Sequence, residues 1–158
     1  MAGKNNLDNP SPDREIITTR IFNYPRESVF QAWADETLLA KWWGPNGFTN
    51  TFNQFEFIAG GTWDFIMHGP DGKNYHNRSI YRKISKPGLI IFDHLKPMHE
   101  FRVTTIFEEV EDKTRLTFCM RFDSAEECEE VKIYVIDANE QNFDRLETVL
   151  SNIDNNNS

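Results

Sequence analysis

Four histidines, and two acids set between aromatic residues, carry most of the chemistry this sequence could perform. His94 and His99 lie either side of Lys96-Pro97, with Glu100 beside His99, and His68 and His76 flank Pro70-Asp71-Gly72. A zinc site needs three or four convergent ligands with an oriented outer shell. No helical stretch presents histidines four apart, so these read as histidines of wet turns, and no metal is expected. Glu56 sits between Phe55 and Phe57, and Asp64 between Trp63 and Phe65. In a strand with one wet face such acids point to solvent. Facing a cavity instead, either would have its pKa raised by desolvation and could act as an acid or hold a polar ligand head. Asp93-His94 resembles an acid–base pair, but neighbours on a strand point to opposite faces.

Nucleophilic catalysis finds no support. There is no Gly-x-Ser-x-Gly elbow, and neither Cys119 nor Cys128 has a basic cluster beside it to lower its pKa. Both read as free thiols of a reducing compartment. Gly60-Gly61 joins two strands and opens no helix, so it is not a phosphate cradle. The run Glu126-Glu127-Cys128-Glu129-Glu130 reads as a solvated helix start. A net charge of −8 opposes binding to nucleic acid or to anionic membranes. No apolar run of spanning length and no signal-peptide pattern occur, so a cytoplasmic protein without cofactor is expected.

The elements that must position these groups follow from periodicity. Arg14 to Phe22 reads as a strand, and Tyr24-Pro25 breaks it. Val29, Phe30 and Trp33 share a helical face, and Asp35 can cap a second short helix carrying Leu38, Leu39 and Trp42. Strands follow at Phe52 to Ile58, Thr62 to His68, Tyr75 to Ile84, Leu89 to His94, Arg102 to Glu109 and Thr114 to Phe122. The first two of these flank Gly60-Gly61, Pro70-Asp71-Gly72 turns the second into the third, and Lys86-Pro87-Gly88 turns the third into the fourth. In the last, Leu116, Phe118, Met120 and Phe122 alternate with polar residues, as on a sheet with one buried face. Ser124 and Glu127 then resemble a capping box. Val131, Val135, Ala138, Phe143, Leu146, Val149, Leu150 and Ile153 trace one long amphipathic helix, the only element large enough to cover the sheet. Residues 1–13 are expected to be a disordered tail, 14–153 one domain, and 154–158 a frayed end.

Three of the four tryptophans fall within Trp33-Ala34-Asp35 and Trp42-Trp43-Gly44-Pro45-Asn46-Gly47-Phe48. Such a cluster at a bend builds either a core corner or the lip of a pocket.

This order and these motifs resemble the START-like superfamily, and within it the family of the activator of heat-shock protein 90 ATPase. The residues that carry the resemblance are Pro25-Arg26-Glu27-Ser28-Val29-Phe30, Trp33-Ala34-Asp35, Leu39-Ala40-Lys41-Trp42-Trp43-Gly44-Pro45, Gly60-Gly61-Thr62-Trp63, Pro70-Asp71-Gly72, Thr114-Arg115-Leu116 and Arg145-Leu146-Glu147. It spans about Arg14 to Leu150. The resemblance implies an α+β helix-grip fold: a curved antiparallel sheet of six to seven strands around a long C-terminal helix, with two short helices after the first strand. Two departures stand out. Ile58 occupies a place where members often carry Arg, and Glu127 to Glu140 holds no glycine, so the final helix should run unbroken.

The leading expectation is a non-catalytic module that holds a small hydrophobic or amphipathic molecule between sheet and C-terminal helix. A mostly apolar pocket of roughly a few hundred Å³ should accompany it. Its lining would be Trp43, Phe57, Trp63, Phe65, Phe92, Phe118, Met120, Phe143 and Leu146; strand alternation supplies Trp63, Phe65, Phe118 and Met120. A second reading, implied by the family, is a co-chaperone module acting on a heat-shock protein 90 ATPase through an exposed patch, with a chaperone as partner. A third is an enzyme in the same cavity using Glu56, Asp64, Tyr81 or His94 as acid or base. A monomer or weak homodimer is expected.

Overall fold

The structure, a computed structural model, describes residues 6–95 and 99–156. Strand β1 (Glu15–Phe22) leads into two short helices, α1 (Arg26–Ala34) and α2 (Glu36–Trp42). Six strands follow: β2 (Thr49–Phe55), β3 (Thr62–His68), β4 (Asn74–Ser85), β5 (Leu89–His94), β6 (Phe101–Val110) and β7 (Lys113–Phe122). The chain closes with α3 (Ala125–Asn156). All seven strands form one antiparallel sheet in the order β1-β7-β6-β5-β4-β3-β2. This is the expected architecture, with α3 unbroken over 32 residues.

Local chemistry explains the boundaries. Asp35 caps α2 by accepting from the Leu38 N–H at 3.0 Å, which satisfies one of the free donors of its first turn. Ser124 does the same for α3 through the Glu127 N–H at 3.1 Å. The Glu127 carboxylate does not return the bond, as a full capping box would; it meets His99 Nδ1 at 2.8 Å instead. β2 begins and ends earlier than the alternation predicts, because the chain turns at Glu56. There the Glu56 carboxylate accepts from the Thr62 N–H at 2.9 Å, and a Cβ on Gly61 would collide with the Glu56 carbonyl.

Both ends correct the expectation of loose tails. The described part of residues 1–13 makes 3-10 turns at Asn6–Asp8 and Pro12–Arg14. Leu7 is 1% exposed, and its carbonyl accepts from Arg121 at 2.8 Å. Arg14 gathers the carbonyls of Asn6, Asn9 and Phe122, so one leucine and two arginines dock a segment whose composition reads as solvent-loving. At the other end α3 continues through Asn156, past the predicted domain end at Ile153; residues 157 and 158 lie outside the described set.

The core fills the concave side of the sheet. Trp33 and Trp42 from the short helices, and Phe143, Leu146 and Leu150 from α3, press on Phe22, Phe107, Leu116 and Phe118. On the convex side Asp93 is 3% exposed and bonded by Arg82 and Arg102 at 2.7–2.8 Å. Burial pushes its pKa up, but the two guanidinium partners outweigh that and hold it below the usual carboxylate value.

Arg145 joins α3 to the corner after α2. Its Nη1 donates to the carbonyls of Gly44 (2.6 Å), Pro45 (2.9 Å) and Trp43 (3.4 Å), and its Nη2 to those of Lys41 (3.0 Å) and Phe48 (2.9 Å). Gly44 takes φ +100°, and a Cβ there would lie 2.9 Å from Met67 Cε, so the tight turn admits glycine and little else. Only the planar guanidinium fork can serve five oxygens at once. Arg145→Lys should lower stability by about 2 kcal/mol, since an ammonium keeps the charge but not the fork. Arg145→Ala should cost about twice that by leaving several carbonyls unpaired. Chemical denaturation with an unchanged m-value checks both; equal stability of Arg145→Lys and wild type would show that the fork is dispensable.

Candidate functional site

The Trp42-Trp43 pair divides its work. Trp42 is fully buried, and its Nε1–H donates to the Ala32 carbonyl at 3.0 Å, which makes it a packed corner. Trp43, the C-terminal cap of α2, is half-buried and lies against the concave sheet. Its ring centroid is 5.1 Å from Trp63, 6.2 Å from Phe92 and 6.3 Å from Phe118. The corner and the lip are thus adjacent residues.

Of the nine candidate lining residues, the structure brings Trp43, Trp63, Phe65, Phe92 and Phe118 into one aromatic floor. Trp63 stacks on Phe65 at 4.3 Å and meets Phe92 edge-on at 5.5 Å. Phe143 and Leu146 hold the C-terminal half of α3 down on this floor, with Phe143 6.2 Å from Phe118. Met120 lies further along β7, where the Asn139 amide of α3 reaches its sulfur at 3.5 Å and Thr18 Oγ1 at 3.3 Å. Phe57 stands apart just beyond the end of β2, against Phe30, Phe55 and Tyr81.

Helix α3 is not seated evenly. Phe143, Leu146 and Leu150 are at most 1% exposed, whereas on the N-terminal half Val131, Val135 and Ala138 stay half-buried between the buried Cys128 and Asn139. The sheet-side residues Phe52, Met67 and Phe101 are likewise half-buried. Two clefts of about 370 and 380 Å³ lie near the other end of α3. One is polar, lined by Tyr24, Asp144, Glu147 and Ser151; the other is lined by Leu38 and Ile153 with Glu27, Gln31 and Lys86. None of the nine candidate residues lines either cleft.

Sequence reasoning missed the polar residues of the concave face. The Pro70-Asp71-Gly72 turn fixes the β3–β4 register, so Ser79 pairs with Trp63 and Asn77 with Phe65. Counting back from that turn would have found both. In the β4–β5 ladder Ser79 also pairs with His94. His94 is 6% exposed, stacks on Phe101 at 4.6 Å, and directs Nε2 at Asn77 Oδ1 and Nδ1 at the His99 carbonyl, each 2.7 Å away. Asn77 Nδ2 donates to the Tyr75 carbonyl, which turns its oxygen toward the histidine. Trp63 Nε1, Ser79 Oγ, Thr105 Oγ1 and Asn142 Oδ1 are buried without a partner.

The acids flagged for catalysis do not join this face. Glu56 is exposed, and hydrogen bonds from the Thr62 backbone and the Gln54 side chain keep it below the usual carboxylate value. Asp64 bonds Asn53 and His76 on the convex side; burial raises its pKa, and these partners more than reverse the effect. Asp93 and His94 point to opposite faces, as strand geometry requires. Tyr81 is buried on the concave face, and burial pushes its hydroxyl well above the ordinary value. Tyr81 and His94 share no hydrogen bond among the described residues. His68 spends its nitrogens on Thr51 and Asn74, and no group of three or more His, Cys, Asp or Glu among the described residues could hold a metal. Cys119 and Cys128 are unpaired; burial raises both, the former to about 11. No helix among the described residues is long and apolar enough to cross a membrane.

A curved antiparallel sheet gripping one long helix over an aromatic floor defines a helix-grip domain of START-like type. Residues 23–151 match the family described as activator of Hsp90 ATPase homolog 1-like protein, and the chain belongs to it. A solved protein from Arthrobacter aurescens is similar at 24% identity and TM-score 0.82, covering 92% of this chain and 90% of that one. One from Nitrosomonas europaea has 15% identity and TM-score 0.85, covering 92% and 99%. The AHSA1 protein from Silicibacter pomeroyi has 20% identity and TM-score 0.74, covering 87% and 97%. At these identities the likenesses speak for the fold. No curated protein matches the sequence.

The His94 environment yields a pH dependence. Burial, the largest influence, lowers its pKa below the ordinary 6.5, against the hydrogen bond that its Nδ1–H gives to the His99 carbonyl, which favours the charged form. A base depressed in the folded state binds more protons when unfolded, so its contribution to stability is full above about 6.5 and is lost as pH falls through the folded value. Melting temperature should therefore drop between pH 7 and pH 5, before the carboxylates titrate, and His94→Gln should flatten that limb. An unchanged limb in the variant would assign it to other groups.

Proposed function

We propose that this domain is a non-catalytic binding module for a small hydrophobic or amphipathic molecule, held between the concave sheet and the N-terminal half of α3. The observation behind this reading is the uneven seating of α3: Val131, Val135 and Ala138 remain half-buried on its N-terminal half, and Trp43 is half-buried at the rim of the aromatic floor. Apolar surface left partly uncovered inside a fold is where an apolar ligand gains most from desolvation. The concave side offers shape and apolar area but no convergent acid and base, which favours binding over catalysis. The same reading puts the protein in the cytoplasm as a monomer or weak homodimer, its two thiols reduced.

A second reading follows the family's description: a co-chaperone-type module acting on a heat-shock protein 90 ATPase. It is favoured by Ile133 and Tyr134, each 75% exposed, and Ile136, 46% exposed, on the outer face of α3. An acidic chain would meet a basic surface there. A salt-sensitive complex in a pull-down against the chaperone, weakened by Ile133→Glu, would support it; no complex at low salt would remove it.

The cavity reading is tested by titrating the protein with the neutral apolar dye N-phenyl-1-naphthylamine and following tryptophan fluorescence. Saturable quenching is expected, with loss of binding in Ala138→Phe, which fills the gap under α3, at unchanged or raised melting temperature. Undiminished binding by the filled variant would move the site elsewhere.

A further inference from the structure

The concave face carries two unpaired polar atoms on residues that are ladder partners. Trp63 and Ser79 are partners in the β3–β4 ladder and share the inner face, where directly opposed Cβ atoms lie about 5 Å apart. Both residues are 0% exposed, and Trp63 Nε1 and Ser79 Oγ have no hydrogen-bond partner. Their polar neighbours cannot supply one: His94 and Asn77 are bonded to each other, and Asn77 also to the Tyr75 carbonyl. We propose that Trp63 Nε1 and Ser79 Oγ form the polar end of the cavity and donate to one uncharged acceptor oxygen, a ketone, ester or amide carbonyl, on an otherwise apolar ligand.

The chemistry of the two groups sets the ligand class. An indole N–H only donates, so the ligand atom must accept; a carbonyl oxygen has two lone pairs and can take both bonds. A carboxylate is disfavoured because no free cation among the described residues faces this end. Arg20 is bonded to Glu140, Asp144 and Glu147, and Arg145 is spent on backbone carbonyls. His94, paired with Ser79 in the β4–β5 ladder, spends both ring nitrogens on Asn77 and the His99 carbonyl, and burial lowers its pKa. A buried anion would thus lack compensation, in a chain of net charge −8. The aromatic floor of Trp63, Phe65 and Phe92 takes the apolar remainder.

This inference rests on the binding reading above, and the experiment separates the two. In ¹⁵N-labelled protein the Trp63 indole resonance is assigned by its loss in Trp63→Phe. The protein is then titrated with 2-nonanone, with 1-nonene, which has the chain but no oxygen, and with nonanoate. The Trp63 indole proton should move downfield with 2-nonanone and stay near its place with 1-nonene. Ser79→Ala removes one atom and should fold; it should weaken 2-nonanone about fivefold, the worth of one net hydrogen bond, and leave 1-nonene unchanged. It should also leave the melting temperature of the ligand-free protein unchanged or raised, because it deletes a buried hydroxyl that has no partner. Equal affinity for 2-nonanone and 1-nonene with an unmoved Trp63 indole would overturn the polar end while sparing the apolar cavity. Failure of both to bind would overturn both readings. Tighter binding of nonanoate would overturn the uncharged acceptor, and a lower melting temperature of ligand-free Ser79→Ala would mark the hydroxyl as structural.

Discussion

The contact on which the site depends is the Arg145 guanidinium seated among five backbone carbonyls between Lys41 and Phe48. A turn that tight leaves its carbonyls without secondary-structure partners, and buried acceptors left unpaired are costly. One planar cation from α3 satisfies them together, and burial lowers its pKa below the usual arginine value without threatening its charge. The consequence is positional. Asn50 adds bonds to the Ala40 and Trp43 carbonyls at 3.1 and 2.8 Å, and the corner then has one orientation, with Trp42 inward to Ala32 and Trp43 over the sheet. The same bonds fix the depth of α3 at its middle.

From that fixed point the two halves of α3 diverge. Toward the C-terminus, Phe143, Leu146 and Leu150 fill the space, and Arg20 adds a bridge to three acids while lying 5.6 Å over Phe143. Toward the N-terminus the ties are sparse: Asn139 to Thr18, and His99 to Glu127 in the first turn. Between those ties the inward residues are Val131, Val135 and Ala138, and Val131 and Val135 pack on the core while staying half-buried. No proline or glycine interrupts this stretch, so no sharp kink is built into it. The uneven seating follows from small side chains on this half of α3 and large ones, Phe143, Leu146 and Leu150, on the other.

Much of this was legible in the sequence because the relevant signals are local. Asp35 as a cap, the Pro70-Asp71-Gly72 turn and the alternation of Leu116, Phe118, Met120 and Phe122 each act within a few residues, and each element formed where they pointed. What escaped is long-range. The docking of Leu7 depends on Arg121, more than a hundred residues away, and Arg145 was visible only as part of a motif, because its partners are carbonyls that no side-chain pattern reveals. Composition misread the 6–13 segment for the same reason: a polar stretch with one leucine reads as tail until something is there to receive it. Ser79 and Asn77 were missed for a different reason. Small polar residues in a strand are usually taken for the wet face, and only the pairing register puts them inside.

That register also explains why the concave face, among the described residues, carries hydroxyls and amides but no carboxylates. Glu56 and Asp64, set between aromatics in sequence, are turned out by the same alternation that turns the aromatics in. The acids that reach the domain's interior edge, Glu140, Asp144 and Glu147, are bonded to Arg20 on the β1 side. Negative charge is thereby kept off the inner surface of a strongly acidic chain. A surface of aromatics, with a few neutral donors and acceptors and no fixed anion, discriminates by shape and by single hydrogen bonds rather than by charge. In such a place an unpaired N–H carries a cost that only an acceptor atom can remove.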